Sequence, residues 1–219
     1  LAVQDFDFPV MFNEVTEAYF LGSADLVGGE MGEAMRRIVA NPADEEANRV
    51  LAQEPNYYAR LRTACVATLL QGGHAPNALP QLAEATVNCR IFPDQDPEEV
   101  QAMLQELATP FDVEVIPQGQ ATPSPPSPLT EEVMDPIERI TEQMWPGVKV
   151  LPVMSTGATD GLYLRRAGIP VYGVSGLFND MDDIRAHGQD ERIRIESFYE
   201  GQEFLYRLVK ALSGGGIAQ

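Results

Sequence analysis

The sequence predicts a mixed α/β chain in two bodies: an α+β body whose strand, strand, helix, strand order is most of a ferredoxin-like split βαβ unit without its opening strand and helix, then an α/β layer. Three observations predict it. The apolar period changes from helical to alternating near Tyr57. Residues 117–128 carry five prolines (Pro117, Pro123, Pro125, Pro126, Pro128). Strand-like and helix-like segments then alternate to the end of the chain.

Taken in order, residues 1–55 read as packing helices. Val10, Met11, Val15, Ala18 and Tyr19 form one stripe and Met31, Ala34, Met35, Ile38 and Val39 another, broken at Gly28-Gly29. Asn41-Pro42-Ala43-Asp44 ends the second helix, and Asp44 offers a cap for a third. Residues 62–70 and 83–91 read as a half-buried antiparallel pair, with Ala83, Ala85, Val87, Cys89 and Ile91 on one face. Asp96 caps, and Pro97 opens, a helix over 98–107, and 111–116 alternates as a further strand. A proline-rich segment is stiff and extended, so 117–128 crosses between bodies. After it the sequence predicts a helix (131–144), a strand (148–154), a helix from near Thr159, a strand (170–174), a loop to 185 and a helix (195–212).

The chain is 44% hydrophobic, enough for a real core, and no apolar run approaches the ~18 residues that span a bilayer. A formal charge of -18 makes nucleic acid and anionic membrane poor partners, because both bind basic surfaces. The plain reading is a solvated acidic surface. The first residue is Leu1, not Met, and no signal-like segment follows it, so the expectation is an internal fragment or processed chain. Nothing chooses between a cytoplasmic and an exported location. Cys65 and Cys89 would lie opposite each other in a hairpin centred near Asn77; a bridge is open to them, but the expectation is buried reduced thiols.

Four places carry candidate chemistry. Ala186-His187-Gly188-Gln189-Asp190-Glu191 holds one of only two histidines, beside a glycine and two carboxylates that could orient the ring. One imidazole cannot hold a catalytic zinc, which takes about three protein ligands. Ser155-Thr156-Gly157-Ala158-Thr159-Asp160-Gly161 stands where a strand gives way to a helix, where ligands bind in open α/β sheets; its plain reading is a cap by Thr159 or Asp160. The turn from Gly72 to Pro80, with His74 and Asn77, is longer than a tight hairpin needs. Asn77 could simply adopt a left-handed turn conformation, and Arg90, on the polar face of its strand, could simply face solvent.

As an ordered set, Gly72-Gly73 through Asn77-Ala78-Leu79-Pro80, Val87-Asn88-Cys89-Arg90-Ile91-Phe92-Pro93, Gly157-Ala158-Thr159-Asp160-Gly161, Ala167-Gly168-Ile169-Pro170 and Ala186-His187-Gly188-Gln189-Asp190-Glu191-Arg192-Ile193 resemble the M20 family of metallopeptidases. That family includes carboxypeptidases, dipeptidases, aminoacylases and succinyl-diaminopimelate desuccinylase. The resemblance implies a ferredoxin-like lid that makes a homodimer, set into a zinc-exopeptidase catalytic domain with two zinc ions. It implies residues 1–118 as an incomplete lid with a helical insertion at 1–55, as in the carboxypeptidase S-like branch, and 119–219 as the last part of the catalytic domain.

The same resemblance puts His187 at the final zinc ligand, Asn77 and Arg90 at lid positions that contact substrate, and Gly157 in the turn that cradles it, with Ala158 where Gly or Thr is common. The family's other metal ligands and its general-base glutamate precede the lid and have no counterpart here; Glu131-Glu132 reads as acid at a helix start. The implied activity is hydrolysis of a peptide or N-acyl amide beside a free carboxylate, on a small peptide or N-acyl amino acid, with this fragment alone inactive. The alternative is a non-catalytic dimerisation or ligand-binding module from the same family.

Overall fold

The computed structural model describes residues 1–180, 183 and 185–214. Its chain divides into two compact units, one of Leu1–Ser127 with Pro152–Pro170, the other of Pro128–Leu151 with Val171–Gln219. Among the described residues no helix is long and apolar enough to cross a membrane.

The first unit opens with four helices, α1 (Glu14–Val27), α2 (Gly29–Ala40), α3 (Glu45–Leu51) and α4 (Pro55–Leu61). Asn13 and Thr16 close a reciprocal capping box at the start of α1. Gly28 breaks α1 from α2 with φ 65°, a left-handed value that favours glycine. Asp44 caps α3 as expected, its Oδ1 accepting from the Ala47 N–H at 2.9 Å. Phe20, Met35, Ile38, Leu51 and Leu61 are buried together in one core, with Phe12, Tyr19 and Tyr57 ringed around Phe20.

Two expectations for this region fail. Val10 and Met11 precede α1 instead of lying on it, and residues from Pro55 form a helix where alternation was expected to begin. Proline suits the first helical position because its missing N–H would be unpaired there anyway. Arg62, expected to open a strand, instead buries its guanidinium between Asn48, Asp7 at 3.6 Å and the Tyr58 ring at 4.6 Å. Burial, helped by the hydrogen bond to Asp7, pushes the Tyr58 phenol up to about 12.

The antiparallel strands β1 (Ala64–Gly72) and β2 (Ala83–Arg90) follow, pairing Cys65 with Cys89 in a register that folds about Asn77, with a bulge between Ala67 and Leu69. The pair is less buried than its alternation implies: Leu69 is 57% and Leu70 80% exposed. Cys65 and Cys89 form a disulfide, which overturns the expectation of reduced thiols. Opposed positions on adjacent strands bring the two sulfurs within bonding reach. Asp96 caps α5 (Pro97–Ala108) as the sequence requires.

Residues 111–116 are not a strand. The Gln105 side chain takes their backbone groups instead, donating to the Val113 carbonyl at 3.1 Å and accepting from the Val115 N–H at 2.8 Å. A short 3-10 turn, Thr109–Phe111, leads into them. Still within the first unit is α7 (Gly161–Arg166), whose Arg165 Nε donates to Ser124 in the proline-rich segment at 3.2 Å.

The second unit is built on α6 (Glu131–Met144) and α8 (Ile195–Leu212), both with the predicted bounds. Ile137, Ile140, Phe204 and Leu208 form its core, and Trp145 meets Phe178 edge to face and Phe204 at a tilt. Gly201 lies close to Leu177: a Cβ there would come within 2.4 Å of the Leu177 Cδ2 methyl, which would have to shift. The strands expected over 148–154 and 170–174 do not form. A strand is defined by its ladder partner, and among the described residues the one sheet is β1 with β2. Within the expected loop to 185, positions 181, 182 and 184 lie outside the described residues.

Candidate functional site

In the first unit the hairpin presents two of the candidate residues. Its connection is a turn closed by the Ala78 N–H on the Ala75 carbonyl at 3.3 Å, with Pro76 and Asn77 at the central positions. Proline's fixed φ suits the first of these. Asn77 is exposed at the tip and, against expectation, has no positive φ; Gly73 supplies the left-handed residue at φ 73°. His74 is exposed in the same loop.

Arg90 ends β2 opposite Ala64 and is exposed. Among the described residues its guanidinium has no hydrogen bond and no ion pair. Buried Arg62, by contrast, is held through its two terminal nitrogens by Asn48 and Asp7. A free guanidinium on an exposed strand end can take a carboxylate through two parallel N–H bonds.

Gly157 lies in the same unit, four residues before α7. Its N–H donates to Ser155 Oγ at 3.3 Å, and a Cβ there would meet nothing nearer than that oxygen, at 3.8 Å. The side of the turn is therefore open to a ligand. Neither Thr159 nor Asp160 caps α7 with its side chain; Asp160, just before the helix, has helical φ and ψ, and the first turn is closed by backbone bonds such as Leu162 N–H to the Thr159 carbonyl at 3.2 Å.

His187 belongs to the second unit. It sits in a turn closed by the Gly188 N–H on the Arg185 carbonyl at 2.9 Å, with φ 64°, a value few residues other than glycine adopt. The ring is exposed and has no hydrogen-bond partner among the described residues. Among the described residues no nearby carboxylate orients it, contrary to expectation. Asp190 pairs with Arg185, Asp183 with both Arg185 and Arg192 (2.6 Å), and Asp180 with Arg194.

The hydrogen bonds from Arg185 and Arg192 hold the Asp183 carboxyl below its usual range, and those to Asp183 and Asp190 raise the Arg185 guanidinium. Arginines 185, 192 and 194 interleaved with aspartates 180, 183 and 190 were visible in the sequence and signal this bracket. Among the described residues no three His, Cys, Asp or Glu side chains gather to hold a metal ion. One exposed imidazole does not fit a zinc ion by itself.

The fold resembles that of a metal-dependent exopeptidase: the M20 family metallo-carboxypeptidase Sso-CP2 from Sulfolobus solfataricus superposes with a TM-score of 0.55 at 18% identity, over 96% of this chain and 48% of that one. The profile of Peptidase family M20/M25/M40 matches residues 12–211, and the chain belongs to that family. Among curated relatives, the human N-fatty-acyl-amino acid synthase/hydrolase PM20D1 is 25% identical, covering 79% of this chain and 36% of its own length. The probable carboxypeptidase S-like 2 of Dictyostelium discoideum is 25% identical over 85% of this chain and 37% of its own length. Human aminoacylase-1 is 24% identical over 84% and 48%. The chain thus spans between about a third and a half of the relatives it matches.

Proposed function

We propose that this chain is the substrate-positioning and last-ligand part of a zinc-dependent M20 hydrolase that cleaves a peptide or N-acyl amide bond beside a free carboxylate. The observation that carries the reading is the pairing pattern of the charged and ring side chains: among the described residues Arg90 and His187 have no hydrogen-bond or ion-pair partner, while Asp180, Asp183 and Asp190 are taken by arginine. Side chains left free among paired neighbours are those available to a ligand. Arg90 holds the substrate carboxylate, Asn77 contacts substrate from the hairpin tip, and the open Gly157 turn receives its backbone, which together orient the scissile amide.

His187 contributes one ligand to the metal. The described residues do not complete its shell, so no chemical step is assigned to the ion and the 219-residue chain alone is inactive. By role, residues 1–118 are a lid of ferredoxin-like kind with a helical insertion at 1–55, and 119–219 belong to the catalytic domain. The edges of β1 and β2, which no other strand covers among the described residues, with Val66, Leu69 and Leu70 exposed, support a homodimer through the lid. On α8, Ile195, Phe198, Tyr199, Tyr206 and Val209 lie exposed beside the buried face, which supports further catalytic-domain structure packing there. Names among the relatives, a fatty-acyl-amino acid hydrolase and an aminoacylase, support an N-acyl amino acid as substrate.

Hydrolysis of a panel of dipeptides and N-acyl amino acids with added zinc tests the proposal. The chain alone should turn over none. In a longer polypeptide that contains it, His187→Ala should lower bound zinc and hydrolysis together. Turnover by the isolated chain, or unchanged zinc in the variant, overturns the assignment. A non-catalytic ligand-binding module is the second reading, favoured by the lack of a metal-ligand cluster among the described residues; it requires carboxylate binding without turnover in the longest natural product.

A further inference from the structure

We propose that the Cys65–Cys89 disulfide is a reducible clamp on the hairpin, closed in oxidising surroundings and opened by a dithiol, and that it governs how firmly the arm bearing Asn77 is held. The part concerning Asn77 rests on the role proposed for it above. Cys65 and Cys89 are register partners, and the adjoining pair is Ala64 with Arg90, so the crosslink lies one residue from the Arg90 backbone.

On one side of the clamp the hairpin is anchored. The Phe92 N–H donates to Thr63 Oγ1 at 2.8 Å, and that buried hydroxyl donates to Gln95 Oε1. On the other side, residues 66–88 have little to hold them. The strands there are mostly exposed, the register breaks between Ala67 and Leu69, and no third strand covers either edge among the described residues. A two-stranded hairpin is marginal in water. The disulfide marks the boundary between the anchored base and the exposed arm that bears Asn77.

Both cysteines are partly exposed, which admits an attacking thiolate. A thiolate of the dithiol attacks one sulfur, the S–S bond breaks, and the other cysteine leaves as a thiolate and takes a proton. The second thiol of the reagent resolves the mixed disulfide. Two electrons and two protons pass from the dithiol to Cys65 and Cys89, and the dithiol becomes a disulfide. No other cysteine is present to scramble the pair.

Hydrogen exchange on the full chain tests the clamp, comparing the oxidised, dithiothreitol-reduced and reoxidised protein with the Cys65→Ser/Cys89→Ser variant. Reduction should speed exchange in peptides covering 66–88 by at least about tenfold, leave α1–α3 unchanged, and reverse on reoxidation. The double variant should match the reduced protein. Unchanged exchange in the hairpin, equal loosening of α1–α3, or two alkylatable thiols in protein purified without reductant would each overturn the clamp. Titration with an N-acetyl amino acid gives the second arm: binding should be present in the oxidised chain and weakened on reduction and in Asn77→Ala. Hairpin loosening with no binding in any state upholds the clamp and overturns the Asn77 assignment.

Discussion

The helices α1–α4 and the hairpin β1–β2 belong to the same unit but are stabilised by different means. Phe20, Met35 and Leu61 are fully buried in the helical core, whereas Leu69 and Leu70 in β1 face solvent. The helical region is held by packing and caps, the hairpin by a crosslink and a buried hydroxyl at its base. The difference teaches where function can reside. A packed side chain is committed, whereas the exposed hairpin leaves Asn77 and Arg90 free to meet a ligand.

The strongest way to break this contrast is truncation on each side of it. Phe20→Ala should cost about 3–5 kcal/mol, because it removes a buried ring with three aromatic neighbours. Leu70→Ala, at a position 80% exposed, should stay within about 0.5 kcal/mol. Urea unfolding of both variants measures the gap; equal costs would mean that the hairpin is packed after all.

Next in size is the crosslink. Cys65→Ser/Cys89→Ser removes a bridge across a sequence separation of 24, worth about 3 kcal/mol from chain entropy. Comparison of melting with and without reductant measures it. A loss confined to a few tenths of a kcal/mol would show that packing, not the bridge, holds the strands.

A smaller effect sharpens the helical side. Alanine is a better helix former than glycine by about 1 kcal/mol, so propensity alone favours Gly32→Ala. Packing reverses the sign. A Cβ on Gly32 would stand 2.3 Å from the Ala24 carbonyl oxygen, where α2 crosses α1. The substitution should therefore destabilise by about 1–3 kcal/mol in the same urea assay, and a stabilised variant would show that the helices can separate at no cost.

The sequence made the local parts of this contrast legible. Gly28-Gly29, Asp44 and Asp96 with Pro97 marked helix ends through chemistry that acts within a few residues, and each stands where that chemistry put it. The hairpin register was legible too, because Cys65 and Cys89 are equidistant from Asn77. Pairing over longer distance was not. Segments 111–116, 148–154 and 170–174 have strand-like patterns, but a pattern does not supply a ladder partner, and Gln105 satisfies the first of them instead. That Arg90 has no partner among the described residues, and that Asp190 turns to Arg185 instead of His187, depend on side-chain choices among neighbours that spacing alone does not rank.

Acid gives the gentlest test, and it acts on α3. Asp44 accepts from the Ala47 N–H and from both Arg37 Nε (2.9 Å) and Nη2 (2.8 Å). The Ala47 bond first, then Arg37, hold its carboxyl below the ordinary 3.8. A depressed folded value means that the unfolded chain binds the proton more readily, so this stabilisation is present above about 3.9 and is lost as pH falls through the folded value. Helical circular dichroism should therefore decline in that window. In Asp44→Asn the amide oxygen can still cap Ala47 while the charge is gone, so that variant should be slightly less stable at neutral pH and flatter in acid. An acid profile unchanged in Asp44→Asn would move the sensitivity elsewhere and leave α3 held by its buried Ala47, Val50 and Leu51 alone.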